Sequence, residues 1–114
     1  MMNPFDNRKT KYLSPAQVKQ KLEDGAKFYL IDVRNPDEYA KGHIRGSTLL
    51  PLDTLRANIG KTCAQKNDEI VVYCHSGMRA ERAVSILQGM GYTNVWSMGG
   101  IIDWPYAVAK GMES

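Results

Sequence analysis

Short apolar, β-type runs alternate along this chain with segments that carry their own helix start and stop signals. In "SPAQVKQKLEDG", Ser14 is placed to cap a helix, Pro15 fits the first helical position, and Gly25 ends it. The run that follows, "KFYLIDV", is rich in β-favouring residues and is typical of a strand buried on both faces. In "NPDEYAKG" the helix signals recur, with Asn35 as the cap and Gly42 as the terminator. Strand and helix therefore alternate from the start.

The second half of the chain continues this alternation. "STLLPL" predicts a short strand, Asp53 is placed to cap a helix through "TLRANIG", and "EIVVYC" predicts another buried strand. Between Met78 and Met90 the apolar residues recur at spacings of three or four, which indicates an amphipathic helix. "NVWSM" predicts a last strand, and a turn is expected at residues 99–100. The pattern predicts a three-layer α/β domain, with a central, mainly parallel sheet and helices on both faces.

The length of 114 residues fits one such domain and leaves no room for a second. We expect residues 1–11 to form a flexible lead-in, residues 12–110 the domain, and residues 111–114 a tail. All apolar runs are strand-sized, so no membrane-spanning segment is predicted. The first residues lack the apolar centre of a secretory signal, and a cytoplasmic location is expected.

The charge balance and the cysteine content argue against nucleic-acid binding, a disulfide framework and a metal site. Lys and Arg outnumber Asp and Glu by 15 to 12, and this small, scattered excess does not indicate nucleic-acid binding. Two cysteines and two isolated histidines offer neither a disulfide framework nor a metal-ligand set, so free thiols, no metal and no cofactor are expected. Cys63 is expected to be either a bystander thiol or a resolving partner for Cys74.

The residues after the strand "EIVVYC" could form a reactive site. In a parallel α/β sheet, functional groups gather at the carboxyl ends of strands, where Cys74 lies on one strand and Asp32 and Arg34 on another. Ser76 and Gly77 are small enough for successive backbone N–H groups to converge at a helix N-terminus, which favours an anion and a thiolate. From this pattern alone, Cys74 is either a nucleophile in an anion cradle or a buried thiol that ends a strand.

Three motifs together resemble one family. "YCHSGMR" resembles the active-site loop of the rhodanese family of sulfurtransferases, and "IDVRNPDEYAKGHIRGS" (31–47) and "GGIIDW" (99–104) resemble its other signature segments. The resemblance extends from about residue 12 to residue 106 and implies a central five-stranded sheet. It also implies a ping-pong reaction, in which Cys74 takes a sulfane sulfur from a small anionic donor such as thiosulfate and passes it to cyanide or a thiol, including a protein thiol.

The resemblance assigns roles within the loop. Cys74 is the nucleophile, and backbone N–H groups of residues 75–79 hold the outer sulfur of its persulfide. Arg79 either faces the sulfonate oxygens of thiosulfate or pairs with an acidic neighbour. The residues expected to bind substrate are His75, Ser76, Gly77, Met78 and Arg79.

Two residues outside the loop are expected to support it. Asp32 is expected to steady the loop through hydrogen bonds, as a buried carboxylate, and Arg34 either pairs with Glu38 or approaches the site. His43 is expected to be a structural hydrogen-bonding residue.

Other functions are compatible with the same fold. Phosphatases that resemble this family have five residues between the cysteine and the arginine, whereas four intervene here, which makes a tighter cradle suited to a sulfur atom. A non-catalytic binding module commonly lacks the cysteine, which this chain keeps. A carrier that relays persulfide sulfur between proteins shares all of this chemistry and stays an alternative.

Overall fold

The structure, a computed structural model, describes residues 10–112, so most of the predicted lead-in and half of the predicted tail lie outside the described residues. Strands and helices alternate within it as predicted. The elements are β1 (Lys11–Tyr12), α1 (Pro15–Glu23), β2 (Tyr29–Asp32), α2 (Pro36–Lys41), β3 (Thr48–Leu49), α3 (Leu55–Thr62), β4 (Ile70–Cys74), α4 (Met78–Gly89) and β5 (Val95–Gly100). Among residues 10–112, no helix has the length and apolar character needed to cross a membrane.

All five strands join one parallel sheet in the order β1-β5-β4-β2-β3, which confirms the predicted central sheet. β4 lies in the middle, and each of its five residues is buried. Its last residue, Cys74, is in register with Gly100 of β5, and Tyr73 is in register with Asp32 of β2. The carboxyl ends of the three central strands therefore meet at one edge.

The two faces of the sheet carry separate cores, because successive side chains of β4 point in opposite directions. Ile70, Val72 and Cys74 belong to a cluster that includes the apolar faces of α3 and α4. Val71 and Tyr73 belong to a second cluster with α1 and the segment around Trp104. Helices therefore cover both faces, and Cys74 points toward the face that α4 covers.

The predicted helix starts are confirmed at α1 and α2. The Ser14 hydroxyl accepts a hydrogen bond from the Gln17 N–H at 3.1 Å, and the Gln17 side chain accepts one from the Ser14 N–H at 2.8 Å. Glu38 in turn accepts the Asn35 N–H at 3.0 Å, at the start of α2. Both helices begin with a proline in the first turn, where its missing N–H costs nothing.

Three local predictions were wrong. Asp53 does not cap α3, because the chain first forms a 3₁₀ turn over Leu52–Thr54 and α3 begins only at Leu55. Residues 99–100 are not a turn: they extend β5 beside β4, after an irregularity in the register that lets them keep pairing. Lys11, assigned to the lead-in, lies in β1, a strand of two residues that is too short to leave a pattern.

Candidate active site

Cys74 lies at the carboxyl end of the central strand and is only 1% exposed. Its Sγ accepts hydrogen bonds from two backbone groups, the Gly77 N–H at 3.0 Å and the Ala80 N–H at 3.4 Å. Both donors lie at the start of α4, where the first N–H groups of a helix have no partner within the helix. The sulfur is therefore held by helix-start N–H groups, in the place where the helix dipole favours negative charge.

The sequence located this cradle but missed one of its donors. Gly77 is among the residues 75–79 whose N–H groups were expected to face sulfur, whereas Ala80 is not. The sequence did carry a signal for this donor. A helix that starts at Met78 has Ala80 in its first turn, where backbone N–H groups have no partner within the helix.

The loop that follows Cys74 lies directly on the end of β5. Ile102 donates its N–H to the His75 carbonyl at 3.2 Å. A Cβ added at Gly100 would lie 2.1 Å from the His75 carbonyl oxygen, so no larger residue fits there without movement of the loop. Gly77 adopts a positive φ of 118° at the point where the chain turns into α4. The "GGIIDW" segment therefore forms the floor on which the loop rests.

Arg79 forms the acidic pairing that the sequence left open. Its two terminal nitrogens donate to the two carboxylate oxygens of Glu38 at 2.7 and 2.9 Å, in the two-point geometry that makes such pairs strong. The hydrogen bond from Arg79 is the main cause that lowers the pKa of Glu38 to about 2. The first turn of α4 is thereby joined to the first turn of α2.

Asp32 and Arg34 form a buried pair beside the site. Asp32 is fully buried and Arg34 is 4% exposed. The Asp32 carboxylate accepts the Arg34 backbone N–H at 2.9 Å and the guanidinium at 2.7 to 3.1 Å. Arg34 also donates to the Gly42 carbonyl at 2.7 Å, at the end of α2.

These contacts differ from the expected ones. The hydrogen bonds expected between Asp32 and the loop go to Arg34, and Arg34 pairs with Asp32 in place of Glu38. The reason is local: the two residues are two positions apart at a strand end, so their side chains share one side of the backbone and meet before either reaches the loop.

The remaining loop side chains face outward. His75 and Ser76 are exposed, and Met78 is 78% exposed, so Met78 protrudes from the rim of the site. Ile102, which borders the loop, is 59% exposed. His43 is fully buried and stacks on Tyr39 with ring centroids 3.6 Å apart, in accordance with the structural role expected for it.

Cys63 is far from Cys74 although both are buried and free. The Cys63 carbonyl accepts a hydrogen bond from the Tyr92 hydroxyl at 2.6 Å. Tyr92 lies just before β5, and the first residue of β5, Val95, pairs with Ile70 at the start of β4. This contact places Cys63 near the amino end of β4, whereas Cys74 is at its carboxyl end. The two ends of the strand, Ile70 and Cys74, are about 13 Å apart at the usual rise per residue. A disulfide between them would require backbone movement. Burial also raises the pKa of the Cys63 thiol, which weakens it as a nucleophile.

Known proteins are similar to this chain in sequence and in structure. The model of the rhodanese-like domain family matches residues 14–105. Thiosulfate sulfurtransferase PspE of Escherichia coli strain K12 is 38% identical over 81 residues, which are 71% of this chain and 78% of that protein. A solved structure described as "rhodanese with anions from E. coli" matches with a TM-score of 0.71 and 36% identity, covering 75% of this chain and 100% of that one.

A second group of relatives is much longer. The tRNA uridine(34) hydroxylase of Cronobacter sakazakii is 37% identical over 98 residues, which are 82% of this chain but 28% of that protein. The domain therefore also occurs as one part of larger proteins with a different name and activity.

Proposed function

The chain belongs to the rhodanese family of sulfurtransferase domains, and from this premise we propose that it transfers sulfane sulfur from thiosulfate to cyanide or a thiol through a persulfide on Cys74. The observation that carries the proposal is the pair of backbone N–H groups, from Gly77 and Ala80, that converge on the Cys74 sulfur at 3.0 and 3.4 Å. The sequence similarity to a thiosulfate sulfurtransferase supports the choice of donor.

In the first step, the Cys74 thiolate attacks the outer sulfur of thiosulfate. A bond forms between the two sulfurs, the sulfur–sulfur bond of thiosulfate breaks, and sulfite leaves with its electron pair. The enzyme is left with a persulfide whose outer sulfur carries the negative charge. The Gly77 and Ala80 N–H groups hold the inner sulfur, Sγ. The loop already rests on β5, so the other N–H groups of residues 75–79 are in place to stabilise the charge on the outer sulfur.

In the second step, cyanide or a thiolate attacks the outer sulfur and leaves as thiocyanate or as a new persulfide, which restores the Cys74 thiolate. No proton needs to move at either sulfur, so the scheme requires neither a general base nor a cofactor. The acceptor thiol can belong to a protein, in which case the same chemistry serves a sulfur relay.

The surrounding residues take narrower roles in this proposal. The exposed loop side chains of His75, Ser76 and Met78 border the path to the sulfur, and Arg79 anchors the loop through Glu38. Asp32 and Arg34 support the site indirectly, since Arg34 packs over the Tyr73 ring next to Cys74. We propose a cytoplasmic location, and nucleic acid is not a proposed partner, because the excess of Lys and Arg over Asp and Glu, 15 to 12, is small and scattered.

The proposal is tested by the mass of the protein after treatment with thiosulfate. The wild type is expected to gain the mass of one sulfur atom and to release one sulfite, and then to lose that mass when cyanide is added. Cys74→Ser should do neither. Cys63→Ser is the matched control, because it removes the other buried thiol at the far end of β4, and it should behave like the wild type.

Two results would contradict the proposal. A sulfur adduct that persists in Cys74→Ser would assign the chemistry to another group. Hydrolysis of an aryl phosphate by the wild type, without transfer from thiosulfate, would favour the phosphatase alternative.

A further inference from the structure

The positive charge of Arg79, at the mouth of the site, is already paired with a carboxylate. Arg79 belongs to the first turn of α4. The hydrogen bond to Glu38, with the charge of Glu38 and then that of Cys74, raises the pKa of its guanidinium against the lowering effect of burial. A free guanidinium there would attract a dianion such as thiosulfate. Both of its terminal nitrogens instead bind the Glu38 carboxylate, so the pair carries no net charge.

Glu38 is itself held in place from a second side. One of its carboxylate oxygens, Oε1, accepts the Asn35 N–H at 3.0 Å as well as the bond from Arg79. A carboxylate fixed by a helix start cannot move aside for substrate without breaking the cap of α2. Its low pKa keeps it ionised at neutral pH, so the pairing persists under working conditions.

The other side chains around the mouth add little fixed charge. Met78 and Ile102 are apolar and more than half exposed, and the charge of Arg34 is neutralised by Asp32. His75 is the remaining exposed titratable group of the loop. Asp103, next to Ile102, is a further exposed charge. The guanidinium of Arg79 interacts electrostatically with Cys74, so the charge of its partner Glu38 can change how strongly the mouth attracts an anion.

We propose that Glu38 is a positioning residue which, by occupying Arg79, lowers the preference of the site for dianionic over monoanionic sulfur donors. This inference rests on the proposed function and deepens it, because it identifies the residue that sets the donor charge the site favours. Since Coulomb energy is proportional to the charge of the donor, removing the Glu38 charge acts twice as strongly on a dianion as on a monoanion.

The test compares two donors of similar shape and different charge. Thiosulfate is a dianion, and methanethiosulfonate, in which a methyl group replaces one oxygen, is a monoanion. Each transfers its outer sulfur to the Cys74 thiolate, with sulfite or methanesulfinate leaving with the electron pair. Glu38→Gln removes the charge while its amide oxygen still accepts the Asn35 N–H.

For Glu38→Gln we expect kcat/KM to rise about tenfold with thiosulfate and about threefold with methanethiosulfonate, through lower KM values, as the linear dependence on charge requires. Asp37→Asn is the matched control: it removes one exposed negative charge from the same helix that is not part of the pair, and should change either value by less than about twofold.

A mutant cycle separates charge from loop packing. Arg79→Gln leaves Glu38 without its partner and should shift the preference toward the monoanion, and Glu38→Gln/Arg79→Gln should restore the wild-type ratio between donors. Equal losses with both donors in Glu38→Gln would overturn the inference, because they would reveal only a loosened loop.

A binding measurement keeps the inference distinct from the proposed function. In the Cys74→Ser background, sulfate titrated by calorimetry should bind more tightly when Glu38 is also changed to Gln, and unchanged binding would count against the inference. If the wild type fails to transfer sulfur from either donor, the proposed function is wrong, and this sulfate comparison still tests what Glu38 does to anions.

Discussion

Replacing Gly100 with Ala tests whether the position of the loop determines activity. The added Cβ would lie 2.1 Å from the His75 carbonyl oxygen and 2.6 Å from the Ser76 Cα, and both contacts are with backbone atoms. Real Cβ atoms essentially never approach closer than 3.0 Å, so the carbonyl has to retreat by about 0.9 Å, a shift of the size that overpacking forces on a backbone.

That displacement should affect both stability and catalysis. Overpacking of this kind costs about 1 to 3 kcal/mol of unfolding free energy. The same shift moves the chain that carries the Gly77 N–H, which lies 3.0 Å from the Cys74 sulfur. Misplacement by about 1 Å costs on the order of 100-fold in rate. We therefore expect a folded variant whose kcat for transfer from thiosulfate to cyanide falls about 100-fold.

The assay pairs steady-state kinetics with urea unfolding. Gly60→Ala in α3 is the matched control, because nothing lies within 4 Å of its added Cβ; helix propensity predicts a gain of up to about 1 kcal/mol and unchanged activity. A Gly100→Ala protein with wild-type kcat would refute the reasoning, since the loop could then move without consequence for the sulfur.

Two further predictions concern stability. Tyr73→Phe removes the hydroxyl that accepts the buried Ile44 N–H at 3.1 Å and contacts the Ser47 hydroxyl at 3.0 Å, so urea unfolding should show a loss of about 1 to 3 kcal/mol, while Tyr12→Phe, whose hydroxyl bonds the exposed Glu81, should lose little. The pKa of Glu38 is about 2 in the folded protein against an ordinary 4.5, so its contribution is present above about pH 4.5 and is lost as the pH falls toward 2. The unfolding free energy of Glu38→Gln should therefore fall less steeply with decreasing pH than that of the wild type. An identical slope would contradict the assigned ion pair.

Local signals explain which parts of the fold were predictable. Ser14 and Asn35 mark helix starts because their hydrogen bonds reach only three residues along the chain. β1 escaped prediction because two residues gain their hydrogen bonds from β5, more than eighty positions away, and leave no periodic pattern of their own. Strand order is non-local for the same reason.

For the site, too, the predictable features are those whose residues are close together in sequence. The place of Cys74 at a strand end, before a Gly-containing turn and a helix, was readable because strand, turn and helix adjoin in sequence. The partner of Arg79 could not be predicted, because several carboxylates were within plausible reach and only the fold brings Glu38, forty-one residues away, beside it. The partner of Arg34 had a local signal that the prediction did not use, the two-residue spacing from Asp32 at a strand end.

Because the two thiols lie at opposite ends of β4, their reactivities report two different opening motions of the protein. Cys74 is shielded by a short loop, so a thiol reagent can reach it through a local excursion of residues 75–78. Cys63 is fully buried in the core under α3, so its modification requires a far larger opening. The ratio of the two alkylation rates therefore reports loop motion against global unfolding within a single sample, without any added label in the fold.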